Sequence, residues 1–321
     1  MFISKISKMK NVLITGGCGF IGSHFVNEMV VKYPDVYFMN IDAMYYCASL
    51  SNVTVSNYPN YQFVHGNIND YNLIAYLLTS KNIDTIVHFA AQSHVDQSFL
   101  ESFKYTDDNV KGTHTLLEAV KNVNRDILFL HMSTDEVYGE SGIDSDPKHE
   151  KDLLCPTNPY AASKAAAEMF VQSYQHSFNL RTIIVRGNNV YGPNQYPEKL
   201  IPKFIQTLRK GEKCTVHGRG DSLRSFIHVF DVCSAIDTIL SKGTVGEIYN
   251  IGSDPENERS VMEVVTQLVS LIKADHDIAP YVTYVPDRPF NDKRYFISNS
   301  KLKRLGWKPT ITFDKGLENI I

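Results

Sequence analysis

No stretch of this chain is apolar for long enough to cross a bilayer, and its start, Met1 to Lys10, carries lysines without the apolar core of a secretion signal. A soluble, cytoplasmic protein without a membrane partner is expected. Cysteine is sparse: Cys18, Cys47, Cys155, Cys214 and Cys233 are odd in number, scattered and form no C-x-x-C. That pattern excludes a disulfide framework and a zinc site, and it fits free thiols in a reducing compartment. Positive charge is not in excess either. A net charge of −3 and a pI near 6.4 leave no footprint for nucleic acid, so a small-molecule partner is expected. Internal repeats and low-complexity linkers are missing, and His94 and Asp96 lack the spacing of metal ligands. What remains is ordinary globular material: 321 residues, 43% hydrophobic and 21% charged, enough for one large or two joined domains.

The first informative stretch is Asn11-Val-Leu-Ile-Thr15, a short apolar strand that runs into Gly16-Gly-Cys-Gly19-Phe20-Ile21-Gly22 and then a helical pattern. Glycines between a strand and a helix allow a tight turn and let backbone approach a pyrophosphate, whose charge then sits on the helix N-terminus. A second strand ends at Asp42, twenty residues past Gly22, where a carboxylate binds adenosine ribose hydroxyls and repels a 2′-phosphate. NAD, rather than NADP, is the expected cofactor. A third strand, Tyr61 to His65, leads to Gly66-Asn67-Ile68. A fourth, Ile83 to Phe89, ends in Ala90-Ala91-Gln92-Ser93, where small side chains let backbone lie against a ribose or nicotinamide. The repeated βαβ pattern predicts an α/β Rossmann fold with a doubly wound parallel sheet.

The next strand, Ile127 to Leu130, is followed by Thr134-Asp135-Glu136, two adjacent carboxylates at the strand end where such sheets carry their chemistry. Thr157-Asn158-Pro159 then announces a helix, on which Tyr160 and Lys164 share one face. A phenol beside an ammonium can shuttle a proton. Beyond the strand Arg181 to Arg186 the alternation weakens, with a helix expected near Phe204 to Lys210 and a lid around Asp287-Arg288-Pro-Phe-Asn291 whose arginines suit a diphosphate. The predicted division is a dinucleotide-binding domain over 1–187, rejoined by about 225–251, and a smaller interwoven substrate lobe over 188–321.

The Gly16 to Gly22 loop, Ser133-Thr134, Tyr160-x-x-x-Lys164 and Asn189-x-Tyr-Gly-Pro193 resemble the extended short-chain dehydrogenase/reductase superfamily. Within it, His88-Phe-Ala-Ala-Gln-Ser-His-Val-Asp96, Ser133-Thr-Asp-Glu-Val-Tyr-Gly139 and Pro197-Glu-Lys-Leu-Ile-Pro202 are similar to the NDP-glucose 4,6-dehydratases, and the resemblance spans nearly the whole chain. It implies a lyase that makes a 4-keto-6-deoxy sugar. In it Tyr160 takes the C4 hydroxyl proton beside Lys164, Glu136 removes the C5 proton, Asp135 protonates the C6 hydroxyl, and Thr134 orients the substrate. It also implies NAD contacts at Gly16, Gly19, Phe20, Ile21, Gly22, Asp42, Asn67, Ile68, Ala90, Ala91, Ser93, Tyr160 and Lys164. Substrate contacts are implied at Ser93, Thr134, Asn189, Lys199, Leu200, Arg224, Asp287, Arg288 and Asn291. Asn67 departs from the family's usual aspartate, and Cys18 from its usual alanine. The stretches Arg186 to Gln195 and Arg288 to Phe296 look most like plant rhamnose-synthase dehydratases, which favours UDP-glucose and rhamnose biosynthesis, whereas Tyr46 to Leu50 is similar to animal members acting on dTDP-glucose. A homodimer through the helices near Thr106 and Tyr160 is implied too. A 4-epimerase sharing Tyr160 and Lys164 is the nearest rival, disfavoured by the acid pair, and a non-catalytic NAD sensor is the more distant one.

Overall fold

The computed structural model describes residues 9–286 and 292–321. Six strands alternate with helices along the first part of the chain: β1 (Asn11–Thr15), β2 (Tyr37–Asp42), β3 (Tyr61–His65), β4 (Thr85–His88), β5 (Leu128–Thr134) and β6 (Arg181–Gly187). After them come β7 (Asn189–Tyr191), β8 (Cys214–His217), β9 (Leu223–His228), β10 (Ile248–Ile251), β11 (Glu258–Ser260), β12 (Val282–Val285) and β13 (Arg294–Tyr295). The main sheet has the order β10-β6-β5-β4-β1-β2-β3 with every neighbouring pair parallel, so the expected doubly wound Rossmann sheet is what forms.

Strand periodicity explains how the sheet is covered. Val12 and Ile14 pack into one core with Phe25, Val26, Leu130 and Ile236, while Leu13 between them packs into a second core on the opposite face with Met39, Ile86, Leu117 and Phe129. A third core, around Phe204, Val216, Phe226, Leu268 and Phe313, sits under the smaller β9-centred and β8–β12 sheets. Because the chain order reverses between β1 and β4, a crevice opens outside their carboxyl ends, and the loops after β1, β2, β4, β5 and β6 all empty into it.

Two local features differ from the sequence reading. The helix expected from Phe204 begins earlier, as Leu200–Arg209, because Pro202 falls in its first turn, where the missing N–H would be unbonded anyway. The helix before β5 carries a π-helical segment, Thr106–Lys111, between the α-helical turn Ser102–Tyr105 and the α-helix Gly112–Val123. The extra residue turns Asn109 inward. Its Nδ2 donates to Gln92 O at 3.0 Å and Ser163 Oγ at 2.8 Å, and its Oδ1 accepts from Gln92 N at 2.7 Å, tying the loop after β4 to the helix that carries Tyr160.

Candidate active site

The loop after β1 is built by two close approaches. Gly16 has φ +73°, and a Cβ there would lie 2.6 Å from Ala90 N; a Cβ on Gly22 would lie 2.3 Å from Gly16 O. Backbone therefore packs against backbone where any side chain would collide. The helix Phe20–Lys32 then starts at Gly19 with no capping side chain and no acid in its first turn, an arrangement suited to an anion. The cavity in front of it, about 290 Å³, is lined by Gly16, Gly19, Phe20, Ile21 and Gly22, and further along by Asp42, Asn67, Ile68, Ala90, Ala91 and Ser93.

The two polar side chains at this end are already oriented. Asp42 accepts Met44 N–H at 2.8 Å on Oδ1 and Cys18 N–H at 2.9 Å on Oδ2; burial raises its pKa and those bonds oppose the rise. Asn67 accepts Asn69 N–H at 2.8 Å and donates to Tyr45 Oη at 2.9 Å. The Asn67 amide thus spends its donor on Tyr45.

At the other end, β5 delivers Thr134, and Asp135–Tyr138 follow as a single 3₁₀ turn. The tight turn keeps the two carboxyls together beside Tyr160, and all of these line the same cavity with Lys164. Their environments differ. Asp135 is buried, accepts Asn188 Nδ2 at 2.7 Å and Thr134 Oγ1 at 3.2 Å, and has its pKa pushed up to about 7, by burial first and by the Glu136 charge second. Glu136 is also raised by burial, but the Asn158 amide, donating to Oε2 at 3.0 Å, and the charges of Lys199 and Arg224 pull it back. The phenol of Tyr160 is held well above its usual range by burial and by Glu136. Lys164 is lowered to about 8 by burial, and its Nζ donates to Met132 O at 2.7 Å. In this arrangement the charges that bear most on the phenol are carboxylates, and the ammonium is satisfied by a carbonyl.

Of the residues expected at the substrate end, Ser93, Thr134, Asn189 and Lys199 line the cavity. Lys199 Nζ donates to Ser93 O at 2.6 Å, and Asn189 Oδ1 is buried with no protein partner. Leu200 and Arg224 stand back from the wall. Leu200 opens the helix Leu200–Arg209 and packs on the third core, and Arg224 lies over the Tyr295 ring at 5.0 Å while donating to Leu223 O. Asp287, Arg288 and Asn291 lie outside the described residues. Sequence reasoning overlooked Asn188, and it took Asn158 only as part of a helix start. Asn188 was visible as one of many donors after β6, but nothing local pointed it at Asp135, 53 residues away.

The family profile for GDP-mannose 4,6-dehydratase matches residues 13–320. A trifunctional protein of Arabidopsis thaliana, UDP-glucose 4,6-dehydratase/UDP-4-keto-6-deoxy-D-glucose 3,5-epimerase/UDP-4-keto-L-rhamnose-reductase, is 48% identical over 312 residues, which is 97% of this chain and 46% of that protein. The chain thus spans about half the length of the plant relative. The dTDP-D-glucose 4,6-dehydratase of Homo sapiens is 45% identical over 97% of this chain and 89% of its own. Among solved structures, dTDP-glucose 4,6-dehydratase of Bacillus anthracis in complex with NAD superposes with a TM-score of 0.88 at 40% identity, covering 96% of this chain and 94% of that one. Sheet order, the paired carboxyls and these likenesses agree, and the chain belongs to the NDP-glucose 4,6-dehydratases of the extended short-chain dehydrogenase/reductase superfamily, a family of NAD-dependent hydro-lyases.

Proposed function

We propose that this chain dehydrates an NDP-glucose to its 4-keto-6-deoxy form, and that the nucleotide is thymidine. The observation that carries the chemistry is the Asp135–Glu136 pair beside Tyr160, because epimerisation at C4 needs neither carboxyl while elimination of water needs an acid and a base together. Thymidine is favoured because relatives matched over almost their whole length act, by name, on dTDP-glucose. The plant UDP-glucose relative is the second reading, supported by its identity and by the stretches 186–195 and 288–296.

The site fits NAD: the glycine loop leaves no room for a Cβ, the helix start is uncapped, and Asp42 presents a fixed carboxylate. Gly16, Gly19, Phe20, Ile21, Gly22, Asp42, Asn67, Ile68, Ala90, Ala91 and Ser93 would hold it, with Tyr160 and Lys164 at its nicotinamide end. When bound, NAD supplies the oxidation at C4, the matching reduction at C6, and a positive ring charge that offsets the carboxylates around the phenol. Burial and the carboxylates hold Tyr160 as a phenol, with Thr134 hydrogen-bonded beside it; it would accept the C4 hydroxyl proton as the phenolate, which that ring charge and the Lys164 ammonium would stabilise. The resulting ketone acidifies C5–H, and Glu136, a stronger base than an exposed glutamate, removes that proton. Asp135, with a pKa of about 7 and so partly protonated at neutral pH, donates to the C6 hydroxyl, which leaves as water, and once C6 is reduced Glu136 returns a proton to C5. Asn189 and Lys199 are the polar contacts proposed for the sugar diphosphate, with Leu200, Arg224 and, outside the described residues, Asp287, Arg288 and Asn291. A second copy of the chain is the proposed partner, through the helix Pro159–Phe178 and the segment from Thr106. Exposed Leu100, Phe103 and Met169 lie on or beside those elements.

The test is competition between dTDP-glucose and UDP-glucose in one mixture without added cofactor. Faster loss of water from dTDP-glucose is expected. Faster loss from UDP-glucose would move the assignment to uridine, and a 4-epimer with no water lost would overturn the dehydratase reading.

A further inference from the structure

The helix that carries Tyr160 and Lys164 begins at Asn158, whose Oδ1 accepts Ala161 N–H at 2.8 Å, with Pro159 at its first position. The other end of the same amide, Nδ2, donates to Glu136 Oε2 at 3.0 Å. Asn158 is buried, and its amide orientation is fixed chemically: the oxygen must face the helix N–H, so the nitrogen must face the carboxylate. Both cannot be reversed. Thr157 beside it donates to Asp292 Oδ2 at 2.8 Å, which anchors this stretch to the C-terminal part of the chain.

We propose that Asn158 is the positioning residue of the site, its amide aiming the Glu136 carboxylate while capping the helix of Tyr160 and Lys164, so that one side chain holds the two proton-accepting groups in a common frame. The inference rests on the dehydratase reading above. Serine and aspartate cap helices as well as asparagine does, but serine is too short to span both partners and aspartate has no N–H to donate. Capping alone would therefore tolerate either residue, and aiming Glu136 tolerates neither. The side chain leaves Glu136 Oε1 as the oxygen not engaged by Asn158. Among the described residues, the ionisable groups bearing on Glu136 are Asp135, Asp292, Lys199, Arg224, Tyr160 and Tyr295, so a change at Asn158 acts on a carboxylate with charges on several sides.

Asn158→Ser and Asn158→Asp, in the full chain with its cofactor, test this. Asn158→Ser is expected to keep the thermal midpoint near that of the parent, Asn158→Asp to lower it by repulsion from Glu136, and both to lower kcat by about ten- to hundredfold with little change in KM. In a single turnover, reduced nicotinamide should build up, because C4 oxidation by way of Tyr160 continues while C5 deprotonation slows. The acid limb of the rate profile should move to higher pH, since the lost donor stabilised the ionised form of Glu136. Unchanged kcat in both variants, or a loss of rate that tracks a loss of thermal stability without build-up of reduced nicotinamide, would overturn the proposal. If the parent protein itself eliminates no water, the dehydratase reading fails and this inference falls with it; a parent that dehydrates and variants that do so equally well sink the inference alone.

Discussion

Asn188 Nδ2 stands 2.7 Å from Asp135 Oδ2, and the asparagine is held in that orientation by Ser253 N–H, which donates to its Oδ1 at 3.0 Å. A carboxyl proposed to act as the acid is thus touched by a donor that favours its charged form. Burial wins the contest, leaving Asp135 at about 7, high enough to be half protonated at neutral pH and low enough to release that proton.

Removing the donor should extend the acid's working range. In Asn188→Ala the Asp135 pKa rises, because a hydrogen bond to its ionised form is lost, and the alkaline limb of the elimination rate moves to higher pH. A pH profile of kcat checks this, and a limb that moves to lower pH would refute the assignment of Asp135 as the acid.

The same carboxyl costs stability. Its folded pKa lies above the unfolded value of 3.8, so the native state binds more protons between pH 3.8 and about 7, and the stability it contributes is complete below that window and lost as pH rises through it. Asp135→Asn cannot ionise. It should be more stable than the parent at pH 8, by roughly 4 kcal/mol at most, with the difference fading toward pH 4, and it should be nearly inactive. Urea titrations at several pH values measure the gap directly.

Gly22→Ala should lose the cofactor before it loses the fold. The added Cβ would sit 2.3 Å from Gly16 O, a backbone atom with no freedom to swing aside, so the loop must open where the pyrophosphate is proposed to lie. Protein purified from this variant should lack bound dinucleotide after gel filtration, while its circular dichroism stays that of the parent.

This loop was legible in the sequence because its cause is local: Gly16, Gly19 and Gly22 at intervals of three, a strand before, a helix after. Tyr160 and Lys164 were legible for the same reason, sharing one helical face four residues apart. The asparagine partners were not. Asn158 meets Glu136 across 22 residues and Asn188 meets Asp135 across 53, and such contacts depend on how loops from different strands converge. The inward turn of Asn109 arises from a π-helical register that no residue pattern in Thr106–Lys111 announces. Arg224, expected at the substrate, lies over the Tyr295 ring and bears on Asp135 and Glu136 by charge, a position no local residue pattern announces.

Behind the catalytic turn, Arg186 and Glu168 form a fully buried pair at 2.6 Å, and Arg186 also donates to Tyr138 Oη at 2.7 Å and Glu150 O at 3.2 Å. Glu168→Gln leaves a buried guanidinium without its counter-charge and should cost about 3–5 kcal/mol in a urea titration. It should also lower the Lys164 pKa further, since the Glu168 charge supports that ammonium one turn away.

Glu136 is proposed to remove the C5 proton in a dehydration that renews its own cofactor. The most direct measurement is mass spectrometry of the sugar nucleotide after reaction in heavy water with no NAD added. Loss of about 18 mass units as water and gain of one solvent deuterium at C5 are expected, both abolished in Glu136→Gln. Product that keeps its original C5 hydrogen, or dehydration that survives Glu136→Gln at the parent's rate, would contradict it.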